Sequence, residues 1–317
     1  MSNYLKQWII FILLCSIWGS SFILMKLGMY DVAGQPLLNP YQVAALRIFS
    51  AGIALIPFFL KAHRRIPAAS RGYIVLSGLL GNFLPAFLFC IAETKIDSAL
   101  TAMLNTLTPI CALLVTAIVY HKAVGFNQWL GVLTGFAGCL LLFISKISAP
   151  AEELVYAVYV IVATICYGLN VNMVRQKLSH IASLDIAAGA FAAFIIPSAL
   201  VLFATGFHEL PLTTPAFAKA VAATIVLGVI GTAIASIIFY MLVKIAGPVF
   251  SSMVTYGIPF IAIFWGLLYG EQVTILQVVG LVIILSGVYL ASSRITLQSF
   301  RYKKNPVSSE NSSTETK

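Results

Sequence analysis

Apolar residues along this chain gather into ten continuous runs, at about 8–28, 41–60, 73–92, 97–120, 128–145, 154–174, 185–205, 217–243, 248–269 and 274–292. Each is close to the roughly 20 residues that carry a helix across about 30 Å of hydrocarbon. Short connections bearing polar residues, Pro or Gly divide them, among them 31–40, 61–72 and 205–215. The strands of a closed barrel would instead alternate apolar and polar residues in segments of about ten. The pattern predicts an all-α polytopic membrane protein with ten transmembrane helices.

Composition supports this. Charged residues make up 9% of the 317 positions and apolar ones 60%, against about 25% and 45–50% in soluble domains. The net charge of +9 does not point to nucleic acid, because the basic residues lie scattered between apolar runs and form no face or arm. The expected partner is the lipid bilayer. Cys15, Cys90, Cys111, Cys139 and Cys166 all fall inside apolar runs with no C-x-x-C spacing, the habit of small buried residues and of neither disulfides nor metal sites. No cofactor or metal is expected, and no G-x-x-x-x-G-K phosphate loop occurs. Lys6 and the following run have the charge order of a secretory signal, but the run continues to Met25 without an A-x-A site, so it is expected to be the first membrane helix.

Orientation follows from the basic residues. With the N-terminus inside, fourteen Lys and Arg fall on that side and three (Lys95, Lys146, Lys219) on the other, while Lys26 and Arg47 lie within spans. The chain then divides into a cytoplasmic N-terminus at 1–7, five spans at 8–145, an external connection at 146–153, five spans at 154–293 and a cytoplasmic polar tail at 294–317. That arrangement suits the cytoplasmic membrane of a cell.

A shift of 149–150 residues superposes the halves. Trp18-Gly19 meets Tyr167-Gly168, Lys26 meets Arg175, and Gly78 and Gly81 meet Gly228 and Gly231. Pro109 meets Pro259, Gly131 meets Gly280, and Gly138 meets Gly287. Five spans per unit is an odd number, so the second unit enters the membrane from the opposite side. The result is a pair of inverted five-helix repeats, as in many secondary transporters.

These residues carry a resemblance. Trp18-Gly19-Ser20-Ser21-Phe22 with Lys26, Arg47, the stretch from Ala99 to Thr108-Pro109, Gly131 and Gly138, and in the second half Pro259, Gly270-Glu271, Gly280 and Gly287 make the chain resemble the ten-helix EamA branch of the drug/metabolite transporter superfamily over about 8–293. The first repeat departs from the pattern, with His121-Lys122 where the second has Gly270-Glu271. The resemblance implies two inverted bundles around a central cavity, helices 5 and 10 at the periphery, and export of amino acids, other metabolites or drugs.

Polar side chains at helical spacing inside spans face a bundle or a wet cavity. Ser98, Thr101, Asn105 and Thr108 form one such stripe, Thr232, Ser236 and Tyr240 another, and Ser251 with Thr255 a third. Asn82 precedes Pro85, Ser16 and Ser20 flank Trp18, and Tyr167 stands three residues before Asn170. The candidate substrate-binding set is Trp18, Ser20, Arg47, Asn82, Asn105, Tyr167, Asn170, Thr232, Tyr240 and Thr255; the alternative for each is hydrogen bonding between helices. Arg47, about 10 Å into its span, either faces a hydrated vestibule and attracts a carboxylate or pairs with a helix C-terminus. Lys26 is expected to snorkel at the outer interface.

The acidic residues Asp31, Glu93, Asp97, Glu152, Glu153, Asp185, Glu209 and Glu271 all fall at or beyond span ends. A neutral, zwitterionic or weakly anionic small molecule therefore suits the chain better than a cationic drug, and no residue stands out as a proton carrier. The expected activity is secondary transport by alternating access. A passive facilitator and a drug exporter are rivals within transport, and a membrane sensor is the rival outside it; nothing in the sequence supports an enzyme. Gly131-x-x-x-Gly135 is expected to pack helices closely, with a homodimer contact as the alternative.

Overall fold

The computed structural model describes residues 3–31, 33–121, 125–144, 151–252 and 254–302. Within them seven helices are long and apolar enough to cross a membrane and three more are shorter apolar helices. In chain order they are α1 (Asn3–Met29), α2 (Pro40–Ala62), α3 (Ala68–Ala92), α4 (Ser98–Ile118), α5 (Phe126–Ile144) and α6 (Ala151–Lys177). They continue with α7 (Ser183–Ala204), α8 (starting at Pro215–Gly228 and ending in Ala235–Ser252), α9 (Val254–Leu268) and α10 (Ile275–Tyr302). Among the described residues the sole β pairing is an isolated bridge between Tyr30 and Pro36.

Local chemistry sets several of these boundaries. Asn39 Oδ1 accepts from Gln42 N at 2.8 Å while Gln42 Oε1 accepts from Asn39 N at 2.9 Å, a reciprocal cap that starts α2 with Pro40 in its first turn. The α4 run breaks between Ser98–Asn105 and Thr108–Ile118. Pro109 has no N–H to give the Asn105 carbonyl, and Thr108 Oγ1 donates to that oxygen instead, at 2.8 Å. Its counterpart Pro259 stays inside continuous α9, so the matched prolines have different consequences. α3 and α8 share another irregularity: each passes through a π turn, at Leu79–Phe83 and Val229–Ile234, directly after Gly78 and Gly228.

One boundary differs from the sequence reading. Helix continues from Ala235 through Ser252, where a connection between spans was expected at about 244–247. Gly247 and Pro248 stand in this stretch and ordinarily favour a turn, so the expected connection was a reasonable reading of the sequence that the backbone does not follow.

The two halves pack by the same rule. α1 lies on α8 and α9 as α6 lies on α3 and α4, α2 faces α7, and α5 pairs with α10. Glycines at matched positions permit these approaches. A Cβ on Gly19 would meet Ile261 Cβ at 2.5 Å, and one on Gly168 would meet Ala112 N at 2.8 Å. Likewise Gly138 abuts the Gly280 carbonyl, and Gly287 abuts the backbone of Gly131 and Gly135. The small-residue stripe of α5 thus packs against α10 within one chain.

Candidate functional site

A cavity of about 120 Å³ opens between the two repeats, lined from α1, α2, α3, α4, α6, α8 and α9, with nothing from α5 or α10. Trp18, Arg47, Asn82, Asn105, Tyr167, Asn170, Thr232, Tyr240 and Thr255 all line it. Ser20 does not. Its Oγ accepts the indole N–H of Trp265 on α9 at 2.9 Å, because two residues along a helix from Trp18 is the opposite side. Ser21, three residues from Trp18, lines the cavity instead.

The irregular backbone shapes the polar wall. Trp18 Nε1 donates to the Gly231 carbonyl in the π turn of α8 at 3.2 Å. Thr232 Oγ1, in the same turn, donates to Leu227 O at 3.0 Å and accepts Arg47 Nε at 2.6 Å. The remaining contact of the guanidinium is with the Met25 sulfur, 3.7 Å from Nη1. Arg47 is the one charged residue in the lining, and its hydrogen bonds among the described residues go to Thr232 and Met25. On the facing side Ser77 Oγ donates to Asn170 Oδ1 at 2.7 Å and Ser236 Oγ to Asn82 Oδ1 at 3.4 Å. Asn82 Nδ2 has no partner among the described residues. A molecule in the cavity therefore meets a guanidinium and a free amide donor, with aromatic walls around them. Phe89 stacks near Tyr167 at 6.0 Å and Trp18 lies 5.1 Å from Phe239, centroid to centroid.

Phe89 and Phe239 were not singled out by the sequence reading, and Phe22 only as the end of the Trp18–Phe22 motif; no periodicity could have placed them in the lining, since an aromatic ring facing a cavity and one facing lipid look alike in an apolar run. Thr108 and Ser236 were visible as members of polar stripes, and both line the cavity.

Lys26 corrects an expectation. It does not snorkel; its Nζ is 2.6 Å from Glu271 Oε1. Glu271 also accepts the backbone N–H groups of Ser98 and Ala99 at 3.3 Å each, at the N-terminus of α4. The partner lies 245 residues away in sequence, which is why snorkelling was the natural reading. Glu93, just past the end of α3, is 2% exposed and neither carboxylate oxygen has a hydrogen-bond partner among the described residues. At the end of the molecule assigned to the cytoplasm by charge, Arg65 Nη2 pairs with Asp185 Oδ1 at 2.8 Å. Among the described residues no three His, Cys, Asp or Glu gather as a metal site.

Comparison with known proteins agrees with this architecture. A protein of Archaeoglobus fulgidus named an uncharacterized transporter is 22% identical over 291 residues, covering 90% of this chain and 98% of its own length. A Synechocystis protein with the same description is 26% identical over 313 residues, covering 89% and 88%. A solved crystal structure at 16% identity shares the fold with a TM-score of 0.61, over 94% of this chain and 99% of the other. The family model described as the EamA-like transporter family matches residues 6–144 and again 154–293, so the chain, a multi-pass membrane protein built for transport, belongs to the EamA-like transporter family of the drug/metabolite transporter superfamily.

Proposed function

We propose that the protein exports small neutral or zwitterionic metabolites that carry a carboxylate, amino acids above all, across the cytoplasmic membrane by alternating access, with both termini in the cytoplasm. The observation that carries this reading is the cavity's charge: one cation, Arg47, and no Asp or Glu in the lining. A guanidinium offers five N–H donors in a plane suited to carboxylate, and here Thr232 and Met25 engage it on two sides only. In a dry site an unanswered cation is costly, so a carboxylate is the ligand it favours most. The aromatic walls suit an apolar body on the same molecule. Lys26–Glu271 at one end and Arg65–Asp185 at the other supply polar ties that can close the two sides in turn.

Proteoliposomes preloaded with a labelled amino-acid mixture test this reading. Loss of particular amino acids through the wild-type protein, abolished in Arg47→Gln, supports it. Equal loss from wild type and variant removes Arg47 from the reading, and no loss from folded protein removes amino acids.

A further inference from the structure

Among the residues lining the cavity is an aromatic pair, Phe22 of α1 and Phe89 of α3, with centroids 5.9 Å apart and rings near edge-to-face. One helical turn beyond each ring stands an ionisable residue on the same face: Lys26 four residues after Phe22, Glu93 four after Phe89. Lys26 is committed to Glu271, and Glu271 is answered a second time by the N–H groups of Ser98 and Ala99. Glu93 is answered far less well. It is 2% exposed, and neither its oxygens nor the Ser98 hydroxyl have a well-formed hydrogen bond among the described residues; that hydroxyl is the one donor near enough to favour the charged carboxylate, and Lys26 acts on it only at a distance.

The charged groups around Glu93 are Lys26 from α1, Glu271 from the α9–α10 connection, Arg47 from α2 and, on its own connection, Asp97 and exposed Lys95. Arg47 is turned to Thr232 in the cavity. That leaves one ammonium for two buried carboxylates. An ionised carboxylate with no well-formed donor in such a place is far less favourable than a protonated one. Burial accordingly pushes Glu93 well above the ordinary carboxylate range; Lys26 opposes this, and Glu271 adds to it.

We propose that Glu93 is a proton-binding site of this transporter, occupied while the Lys26–Glu271 pair seals the outer end and taking its proton from the outer solution when that pair parts. The link is competition for one ammonium. A Glu93 that has given its proton to the cavity while that cavity is open to the inside becomes a second carboxylate for Lys26 and loosens the seal; a Glu93 that has taken one up from the outer solution leaves Lys26 to Glu271 and favours the seal. Proton uptake from outside thus comes with closure of that side, the order that proton-driven export requires. The inverted repeat has no equivalent at the inner end. In the sequence the position matching Lys26 is Arg175, the one matching Glu271 is Lys122 and the one matching Glu93 is Val243, so no carboxylate stands at any of the three. The device is built at one end only.

This inference rests on the transport reading for its consequence, but its first test does not need the substrate. Infrared difference spectra of reconstituted wild type, Glu93→Gln and Glu93→Asp are recorded while pH is stepped. The expected result is a protonated-carboxyl band that persists above the ordinary glutamate range in wild type, moves in the Asp variant and disappears in the Gln variant. A band unchanged in folded Gln variant, or absent from wild type, overturns the proposal. The second test loads labelled amino acids with and without a pH gradient: Glu93→Gln should keep exchange at equal pH and lose acceleration by the gradient, and retained acceleration overturns the coupling role. If no amino acid moves through wild type, the substrate reading fails while the infrared result still decides for or against Glu93.

Discussion

Single residues divide into those that meet the cavity and those that hold helices together, and substitutions separate the two. Arg47→Gln removes charge-assisted hydrogen bonds, each of which contributes about 1.5–3 kcal/mol. Transport of carboxylate-bearing substrates should fall about tenfold or more, with folded yield unchanged; proteoliposome uptake per folded molecule is the measurement. Ser20→Ala removes only the acceptor for Trp265. It should lower stability by about 0.6 kcal/mol, typical of such bonds between membrane helices, and leave substrate preference as it is. Glu93 adds a pH prediction. Because burial holds its carboxyl protonated above the ordinary range, the folded chain there keeps a proton that the unfolded chain has lost. Stability must then decline as pH rises through that window, until the native carboxyl itself ionises. Melting temperature against pH in detergent should slope downward for wild type and be flatter, and higher at the alkaline end, for Glu93→Gln.

At the scale of elements, most of the fold was legible because hydrocarbon leaves so few choices. A run of about 20 apolar residues has to be a helix, and the spacing of glycines and prolines gave the duplication. The same glycines marked, without revealing it, where α3 and α8 pass into π turns; the extra residue in each turn is invisible to a 3.6-residue period. Side-chain stripes were legible where several members agreed, as at Thr232, Ser236 and Tyr240, and misplaced Ser20 where two serines were grouped with a tryptophan on the other side. Lys26 was misjudged for a different reason, and Glu93, rightly placed at a span end, gave no sign of its burial: a residue's distance from a span end says nothing about what a distant connection brings over it. The glycines themselves are testable. A Cβ on Gly168 would press on Ala112 N at 2.8 Å, so Gly168→Ala should cost about 1–3 kcal/mol. Gly72, in the first turns of α3, has nothing within 4 Å of a built Cβ. Gly72→Ala should be neutral or stabilise by up to about 1 kcal/mol. Thermal unfolding of both variants checks the contrast, and equal losses would mean the close approaches do not decide stability.

For the whole molecule, inverted repeats make the two ends equivalent in backbone but not in charge, and that asymmetry has a measurable consequence. In the orientation proposed above, the outer end is held by Lys26–Glu271, with side chains 25% and 7% exposed, and the inner end by Arg65–Asp185, at 62% and 9%. A pair that is half in water contributes little, about 0–1 kcal/mol. A more enclosed pair whose carboxylate also accepts two backbone N–H groups leaves those groups unanswered when it is broken, which costs more. Breaking the outer tie should therefore shift the balance between sealed and open states further than breaking the inner one. Cys90 reports on this, since it is fully buried one turn from Glu93 and beside Met25. In a chain with its other cysteines replaced by serine, Glu271→Gln should speed reaction of Cys90 with a membrane-impermeant maleimide added outside. Arg65→Ala should leave that rate unchanged or slow it. An exchange of charges, Lys26→Glu with Glu271→Lys, should fail to restore slow labelling, because a lysine at 271 cannot accept the N–H groups of Ser98 and Ala99. Restoration by the exchange would mean that the ion pair alone seals the outer end and the helix N-terminus contributes nothing to it.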